Sequence, residues 1–100
     1  MIKLTVLYKH PTDDKAFEDY YKNIHLPKAA KMTGHEKFEL TKFLSNSDSN
    51  KSDYYRMAEF WYLSSEAMQE AMDSPEGKAT ADDLHNFATG GVTMLVGTIE

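Results

Sequence analysis

Residues 54–63 read Tyr-Tyr-Arg-Met-Ala-Glu-Phe-Trp-Tyr-Leu, and this stretch decides how we expect the chain to fold. Its density of aromatic side chains in an alternating pattern predicts a β-strand. Ala58, Phe60 and Tyr62 share one face of that strand, and Trp61 lies on the other. Since both faces carry apolar or aromatic side chains, each face needs a covering layer.

Three further segments predict strands around this one. Residues 2–9 and 92–99 are rich in Leu, Val, Ile and Thr, and residues 36–44 alternate with a mixed phase. Along the first segment, every second side chain from Ile2 to Tyr8 falls on one face. The sequence therefore predicts four strands.

The first helical region lies between the first two strands. It begins at about residue 14, where Thr12 or Asp13 can cap it. Pro27 lacks an N–H group, so we expect the helix to kink or restart there. Gly34 is a suitable stop.

The second helical region follows the strand at 54–63. Ser64 or Ser65 can cap a helix over residues 66–73. The pair Ser74-Pro75 then predicts a restart that continues to about Phe87, because proline is favoured at a first helical position.

The resulting order, β-α-β-β-α-β, predicts a ferredoxin-like α+β fold. Its four-stranded antiparallel sheet carries both helical regions on one face. The other face, with Leu7, Met57 and Trp61, is a bare apolar patch in a monomer. We therefore expect a homodimer in which a second copy covers this face. The length of 100 residues predicts one domain over residues 1–100.

Composition argues against several classes of function. The net charge of −5 disfavours nucleic-acid binding, and the absence of cysteine removes disulfides, thiolate nucleophiles and cysteine-based zinc sites. The dinucleotide, P-loop and hydrolase motifs are missing. Because no apolar run approaches the length of a signal or membrane-spanning segment, we expect a cytoplasmic protein without membrane contact.

His25 is the first candidate for chemistry. At 100° per residue, Phe17, Tyr20, Tyr21 and Ile24 form an apolar stripe, and His25 lies at its edge. The end of a helix favours the imidazolium, whereas burial favours the neutral ring. In either case His25 can titrate near neutrality and act as an acid or a base. The alternative is a half-buried histidine that caps helix carbonyls.

No metal site is predicted. The four histidines have no short paired spacing and no cysteine to assist them. Asp48, Asn50 and Ser52 match the first positions of a calcium loop, but Asp53 replaces the glycine that such a loop needs. We therefore predict that residues 45–53 form an exposed hairpin loop. We predict neither a metal nor another cofactor.

Several aromatic residues have two possible roles. Tyr8 can line a cleft between helix and sheet, or it can be an ordinary core tyrosine. The same choice between core and ligand wall applies to Tyr21, Phe60, Trp61 and Tyr62.

The sequence resembles a known family. The run Phe17-Glu18-Asp19-Tyr20-Tyr21-Lys22-Asn23-Ile24-His25-Leu26-Pro27, followed by Gly34, is similar to the first-helix pattern F-x-x-Y-W/Y-x-x-x-H-x-P…G of the EthD family. The segments 58–67 and 74–77 also resemble that family, so the resemblance covers nearly the whole chain. It implies a dimeric α+β barrel, in which two ferredoxin-like sheets pack face to face with the helices outside.

The resemblance also implies a ligand cleft between sheet and helices. The residues that could meet there are His25, Tyr8, Tyr21, Phe60 and Tyr62. The family takes its name from an accessory role in ethyl tert-butyl ether degradation beside a cytochrome P450 system. Related barrels act as cofactor-free monooxygenases, isomerases, polyketide cyclases or decarboxylases, and some bind haem.

We therefore expect a ligand that is small, hydrophobic or aromatic, and oxygenated. His25 would be the general acid or base and Tyr8 would orient the ligand oxygen, while Tyr21, Phe60 and Tyr62 would contact the ligand. Such a protein would serve catabolism or secondary metabolism. The alternative is a non-catalytic protein that carries a small hydrophobic ligand or accompanies an oxygenase.

Overall fold

The computed structural model describes residues 1–44 and 52–100, and most of the predicted hairpin loop lies outside them. The predicted strands are confirmed, with ends that differ by at most two residues. They are β1 (Ile2–Tyr8), β2 (Lys37–Lys42), β3 (Arg56–Tyr62) and β4 (Val92–Thr98).

The strands form one antiparallel sheet in the order β2-β3-β1-β4. Leu4 lies opposite Phe60 on one side and opposite Val96 on the other, so these three residues share a face. Phe38 lies opposite Phe60 and extends that face onto β2. This arrangement is the ferredoxin-like α+β fold that the sequence predicts.

The helices lie on one face of the sheet. The α-helices are α1 (Asp14–Tyr20), α2 (Leu26–Ala29), α3 (Ser65–Asp73) and α4 (Pro75–Asp83). A π-turn (Tyr21–His25) joins α1 to α2, and a 3₁₀ turn (Leu84–Asn86) follows α4. None of the described helices is long and apolar enough to cross a membrane.

The predicted caps are confirmed where the structure chooses between alternatives. The Asp13 carboxylate accepts the Ala16 N–H at 3.1 Å, so Asp13 rather than Thr12 caps α1. Ser64 rather than Ser65 caps α3. Ser74 caps α4, with Pro75 in the first turn.

The π-turn changes which residues of the first helical region face the sheet. The Leu26 N–H donates to the Tyr21 carbonyl, five residues back, immediately before Pro27. The extra residue in this turn rotates Ile24 outward, where it is 43% exposed, and brings His25 inward, where it is 4% exposed. The prediction that Ile24 belongs to the apolar stripe is therefore wrong, because a regular α-helix was assumed.

Aromatic rings dominate the core between helices and sheet. Phe87 is central: its ring centroid lies 5.1 Å from that of Phe17, 5.7 Å from that of Tyr8 and 4.5 Å from that of His25. Edge and tilted contacts of this kind add to the stability that burial alone provides. Through this cluster, the first helical region packs against β1.

None of the described helices or strands covers the face of the sheet away from the helices. We call it the open face and define it by Lys3, Leu7, Met57, Trp61 and Leu95. Its apolar side chains are half-buried or exposed. The Lys3 ammonium pairs with Glu59 at 3.1 Å beside them.

Candidate functional site

A cavity of about 40 Å³ lies between the sheet and the helices. Most of its lining is apolar, and the polar side chains on it belong to Tyr8, Tyr21, His25 and Thr80. The Thr80 hydroxyl donates to the Glu76 carbonyl at 2.8 Å, so it is already used within its own helix. Tyr8, Tyr21 and His25 are therefore the candidate residues for chemistry at this cavity.

The size of the cavity limits what it accepts without rearrangement. An engineered cavity that binds benzene measures about 150 Å³, so a ring-sized ligand needs the wall to move. Three methionines line the wall: Met32, Met72 and Met94. Methionine side chains are unbranched and adaptable, so this wall can yield at modest cost.

His25 and Asp83 form a buried dyad behind the cavity. His25 Nδ1 lies 2.9 Å from Asp83 Oδ2, and the two residues are 4% and 2% exposed. An ionised carboxylate only accepts hydrogen bonds, so Nδ1 carries the proton and Nε2 carries the lone pair. In the part of the chain that the structure describes, Asp83 is the hydrogen-bond partner of His25 Nδ1.

Asp83 accepts hydrogen bonds from three other side chains as well. The donors are the Tyr20 hydroxyl at 2.6 Å, the Asn86 amide at 2.9 Å and the Lys28 ammonium at 3.2 Å. Burial alone would raise the pKa of Asp83, but these bonds and the one from His25 outweigh it and keep the pKa well below its ordinary value. Asp83 is therefore a carboxylate at neutral pH.

His25 is a neutral imidazole in this environment. Burial lowers the pKa of His25, and the hydrogen bond and charge of Asp83, which favour the protonated ring, do not fully offset that effect. The nearby Lys28 ammonium lowers it further. A neutral ring with a fixed tautomer is suited to accept a proton at Nε2.

The two tyrosines on the cavity remain protonated. Burial, together with the neighbouring Tyr21 and Asp83, raises the pKa of Tyr8 well above its usual range. Burial also raises the pKa of Tyr21 to about 12, although the charge of Arg56 acts in the opposite direction. Both hydroxyls are therefore hydrogen-bond donors at neutral pH.

The buried Arg56 and the half-buried Glu18 form an ion pair beside Tyr21. Arg56 donates to the two oxygens of Glu18 at 2.9 and 2.6 Å, and its guanidinium lies 5.0 Å from the centroid of the Tyr21 ring. These hydrogen bonds lower the pKa of Glu18 to about 2. Because Glu18 already neutralises Arg56, this cation is not available to an anionic ligand.

The structure brings together four of the five residues named as site candidates. Tyr8, Tyr21, His25 and Phe60 all line the cavity. Tyr62 does not lie on that lining, although it is fully buried. Its ring packs against His35, with the ring centroids 6.5 Å apart.

Asp83 was missed by the sequence reasoning. The buried residues of α4 are Gly77, Thr80 and Asp83, which are spaced three apart and share one side of the helix. An acidic residue on the inward side of a helix needs a partner. That spacing was the signal that could have identified Asp83 beside His25.

The described residues bring no group of three or more His, Asp or Glu side chains into a metal-binding arrangement.

Comparison with known proteins gives one matching family. The model of the EthD domain matches residues 9–91 of the chain. An uncharacterized 11.0 kDa protein of the thcB-thcC intergenic region of Rhodococcus erythropolis is 36% identical over 95 residues, which cover 95% of this chain and 91% of the relative.

Solved structures agree with this match. An EthD family protein from Bacillus halodurans superposes with a TM-score of 0.91 at 34% identity, covering 100% of this chain and 99% of that one. A dimeric ferredoxin-like protein from Thermobifida fusca has a TM-score of 0.73 at 10% identity, covering 98% and 90%. SnoaB, a cofactor-independent oxygenase from Streptomyces nogalater, has a TM-score of 0.65 at 15% identity, with the same coverages of 98% and 90%. The last two similarities concern the fold alone.

Proposed function

This chain belongs to the EthD domain family, and from that premise we propose that it binds a small hydrophobic or aromatic oxygenated compound and removes a proton from it. His25 Nε2 accepts the proton, and Tyr8 orients the ligand oxygen. The observation that carries this proposal is the buried dyad, with His25 on the cavity and Asp83 behind it at 2.9 Å.

The surroundings of the dyad support a general base. A proton taken from a phenol, or from a carbon next to a carbonyl, leaves negative charge on the ligand oxygen. The imidazolium formed at the same time is stabilised by the negative charge of the Asp83 carboxylate. Asp83 stays ionised throughout, because its pKa is low. An apolar wall strengthens both interactions because it excludes water.

Proton removal is a first step shared by acid–base and oxygenase-type reactions of such compounds. The product of that step is an electron-rich carbanion or phenolate. A proton donor returns it to a neutral isomer, whereas dioxygen can oxidise it. SnoaB has this fold and is a cofactor-independent oxygenase, which supports the compatibility of the fold with such chemistry. We propose that this reaction belongs to catabolism or secondary metabolism, including ether degradation, because the chain is a member of the EthD family.

A second candidate function is that of a carrier or accessory protein beside an oxygenase. The narrow, apolar cavity with adaptable methionines supports this candidate, because holding an apolar molecule needs no base. The two candidates differ in whether His25 changes the bound molecule.

Exchange of ligand protons with solvent separates the two candidates. With phenylacetone as the probe in D₂O, ¹H NMR follows the loss of the protons next to the carbonyl. We expect the protein to accelerate this loss, and His25→Ala to reduce the acceleration by about 100-fold or more. His85→Ala, which changes an exposed histidine, is the control and should exchange like the unmodified chain. A folded His25→Ala protein that exchanges at the original rate would favour the carrier.

A further inference from the structure

Two buried tyrosine hydroxyls in the described residues have no hydrogen-bond partner, those of Tyr21 and Tyr62. A buried hydroxyl without a partner lowers stability, because it has lost its bonds to water and gained none in return. Such a group therefore needs an explanation. The two differ in position: Tyr21 lines the cavity, and Tyr62 does not.

Packing holds the Tyr21 ring, so its hydroxyl oxygen cannot move toward a distant partner. The Phe17 ring lies 5.3 Å away and the stacked His25 ring 5.8 Å away, measured between centroids. The Arg56 guanidinium, itself fixed by its two bonds to Glu18, lies 5.0 Å from the ring centroid. Tyr21 thus lines the cavity and holds a buried hydroxyl that has no partner within the described residues.

Resting on the proposed function, we infer that the Tyr21 hydroxyl is a second donor to the ligand oxygen, beside Tyr8, and that it determines specificity. The ligand class is an uncharged small molecule with a carbonyl or phenolic oxygen. An anionic ligand is disfavoured because the Arg56 guanidinium beside the Tyr21 ring is already paired with Glu18. Because the Tyr21 and His25 rings stack, one small molecule can contact the donor and the base together.

Two matched variants test this inference. Tyr21→Phe and Tyr62→Phe each remove one unpartnered buried hydroxyl and leave the ring in place. Because neither hydroxyl has a partner within the described residues, we expect both variants to melt at or above the temperature of the unmodified chain.

The affinities for phenol and toluene, measured by ligand-observed NMR titration, distinguish the two variants. We expect the ratio of phenol to toluene affinity to fall about three- to ten-fold in Tyr21→Phe and to stay constant in Tyr62→Phe.

The outcomes separate this inference from the proposed function. An unchanged affinity ratio in Tyr21→Phe overturns the inference but leaves His25 as the base, which the exchange of phenylacetone tests on its own. Marked destabilisation of Tyr21→Phe relative to Tyr62→Phe also overturns it, because the hydroxyl would then have a partner within the protein. Failure of the unmodified chain to bind either probe overturns both proposals.

A second measurement needs no variant. We expect an isotope-filtered NOE between bound phenol and the Tyr21 ring of the unmodified chain, and its absence counts against the inference.

Discussion

At the scale of single residues, Asp83 determines the chemistry available to His25. It collects hydrogen bonds from side chains of α1, the π-turn, α2 and the 3₁₀ turn. These donors keep it ionised although it is almost fully buried. The charge of Asp83 and its hydrogen bond to His25 are what oppose the lowering of the His25 pKa by burial.

Replacing Asp83 by asparagine tests this dependence. We expect Asp83→Asn to lower the pKa of His25 further, because the contributions that raise it come from Asp83. We also expect a loss of about 3 kcal/mol in the free energy of unfolding at neutral pH. An NMR titration of His25 and a denaturant titration measure the two effects.

The pH dependence of the stability loss follows from the sign of the shift. The pKa of Asp83 is lower in the folded chain than in the unfolded one, so its contribution is complete above about pH 4 and disappears as the pH falls through the folded value. The gap between Asp83→Asn and the unmodified chain should therefore narrow in acid. Asp82→Asn alters the exposed neighbour and should have little effect. A gap that is constant from neutral pH to pH 3 would contradict the ionised state of Asp83.

How far the site could be predicted depended on whether the signal was local. His25 stood out because a histidine beside an aromatic stripe is unusual within one helix. Asp83 is distant in sequence and meets His25 only through the packing of α4 against the first helical region. The unpartnered hydroxyl of Tyr21 is likewise a property of packing, which no pattern of residue types contains.

At the scale of elements, the π-turn is what places His25 on the cavity. In a regular α-helix the N–H of residue 27 would donate to the carbonyl of residue 23, and Pro27 has no N–H to give. The turn before Pro27 widens instead, and the Leu26 N–H bonds to the Tyr21 carbonyl. The helix resumes as α2 with the inward side shifted by one residue.

Pro27→Ala should weaken this placement. The restored N–H permits a continuous α-helix, which would rotate His25 by about 100° away from Asp83. We expect the pKa of His25 to rise toward its ordinary value as burial is lost, and NMR titration of the ring measures it. Pro75→Ala is the matched control, because Pro75 lies in the first turn of α4, where the N–H has no acceptor within the helix. Persistence of the bond from Leu26 to Tyr21 in a crystal structure of Pro27→Ala would show that the proline does not cause the turn.

The elements themselves were largely predictable, because alternation, caps and glycine or proline signals are local. β3 shows this well: Ala58, Phe60 and Tyr62 are buried as their alternation predicts. Ile24 shows the limit, since a single wide turn changes the phase of every residue after it. Periodicity at 100° per residue cannot reveal where the period itself changes.

At the scale of the whole molecule, the open face carries apolar side chains that no described helix covers. A chain of 100 residues buries only about 60–68% of its unfolded surface on its own, so an uncovered apolar face is costly. That a second copy covers this face stays a prediction from the apolar side chains on it.

Leu7→Lys should disrupt that association. A lysine on the open face would be buried without a partner, which we expect to weaken dimer formation by about 3 kcal/mol, or more than about 100-fold in Kd. Sedimentation velocity measures the association, and the melting temperature should lose its dependence on protein concentration. Leu63→Lys is the control, because Leu63 is an exposed leucine that lies beyond the end of β3. An unmodified chain that sediments as a monomer at every concentration would refute the dimer.

The position of Trp61 has a spectroscopic consequence. The sequence contains one tryptophan, and it lies on the open face with the Lys37 ammonium 4.6 Å from its ring centroid. The cavity is on the opposite side of the sheet, so a ligand that enters it leaves the indole environment unchanged. Fluorescence excited selectively at tryptophan therefore reports the meeting of two copies, whereas tyrosine absorbance reports occupancy of the cavity. One unlabelled sample can follow assembly and binding as separate optical signals.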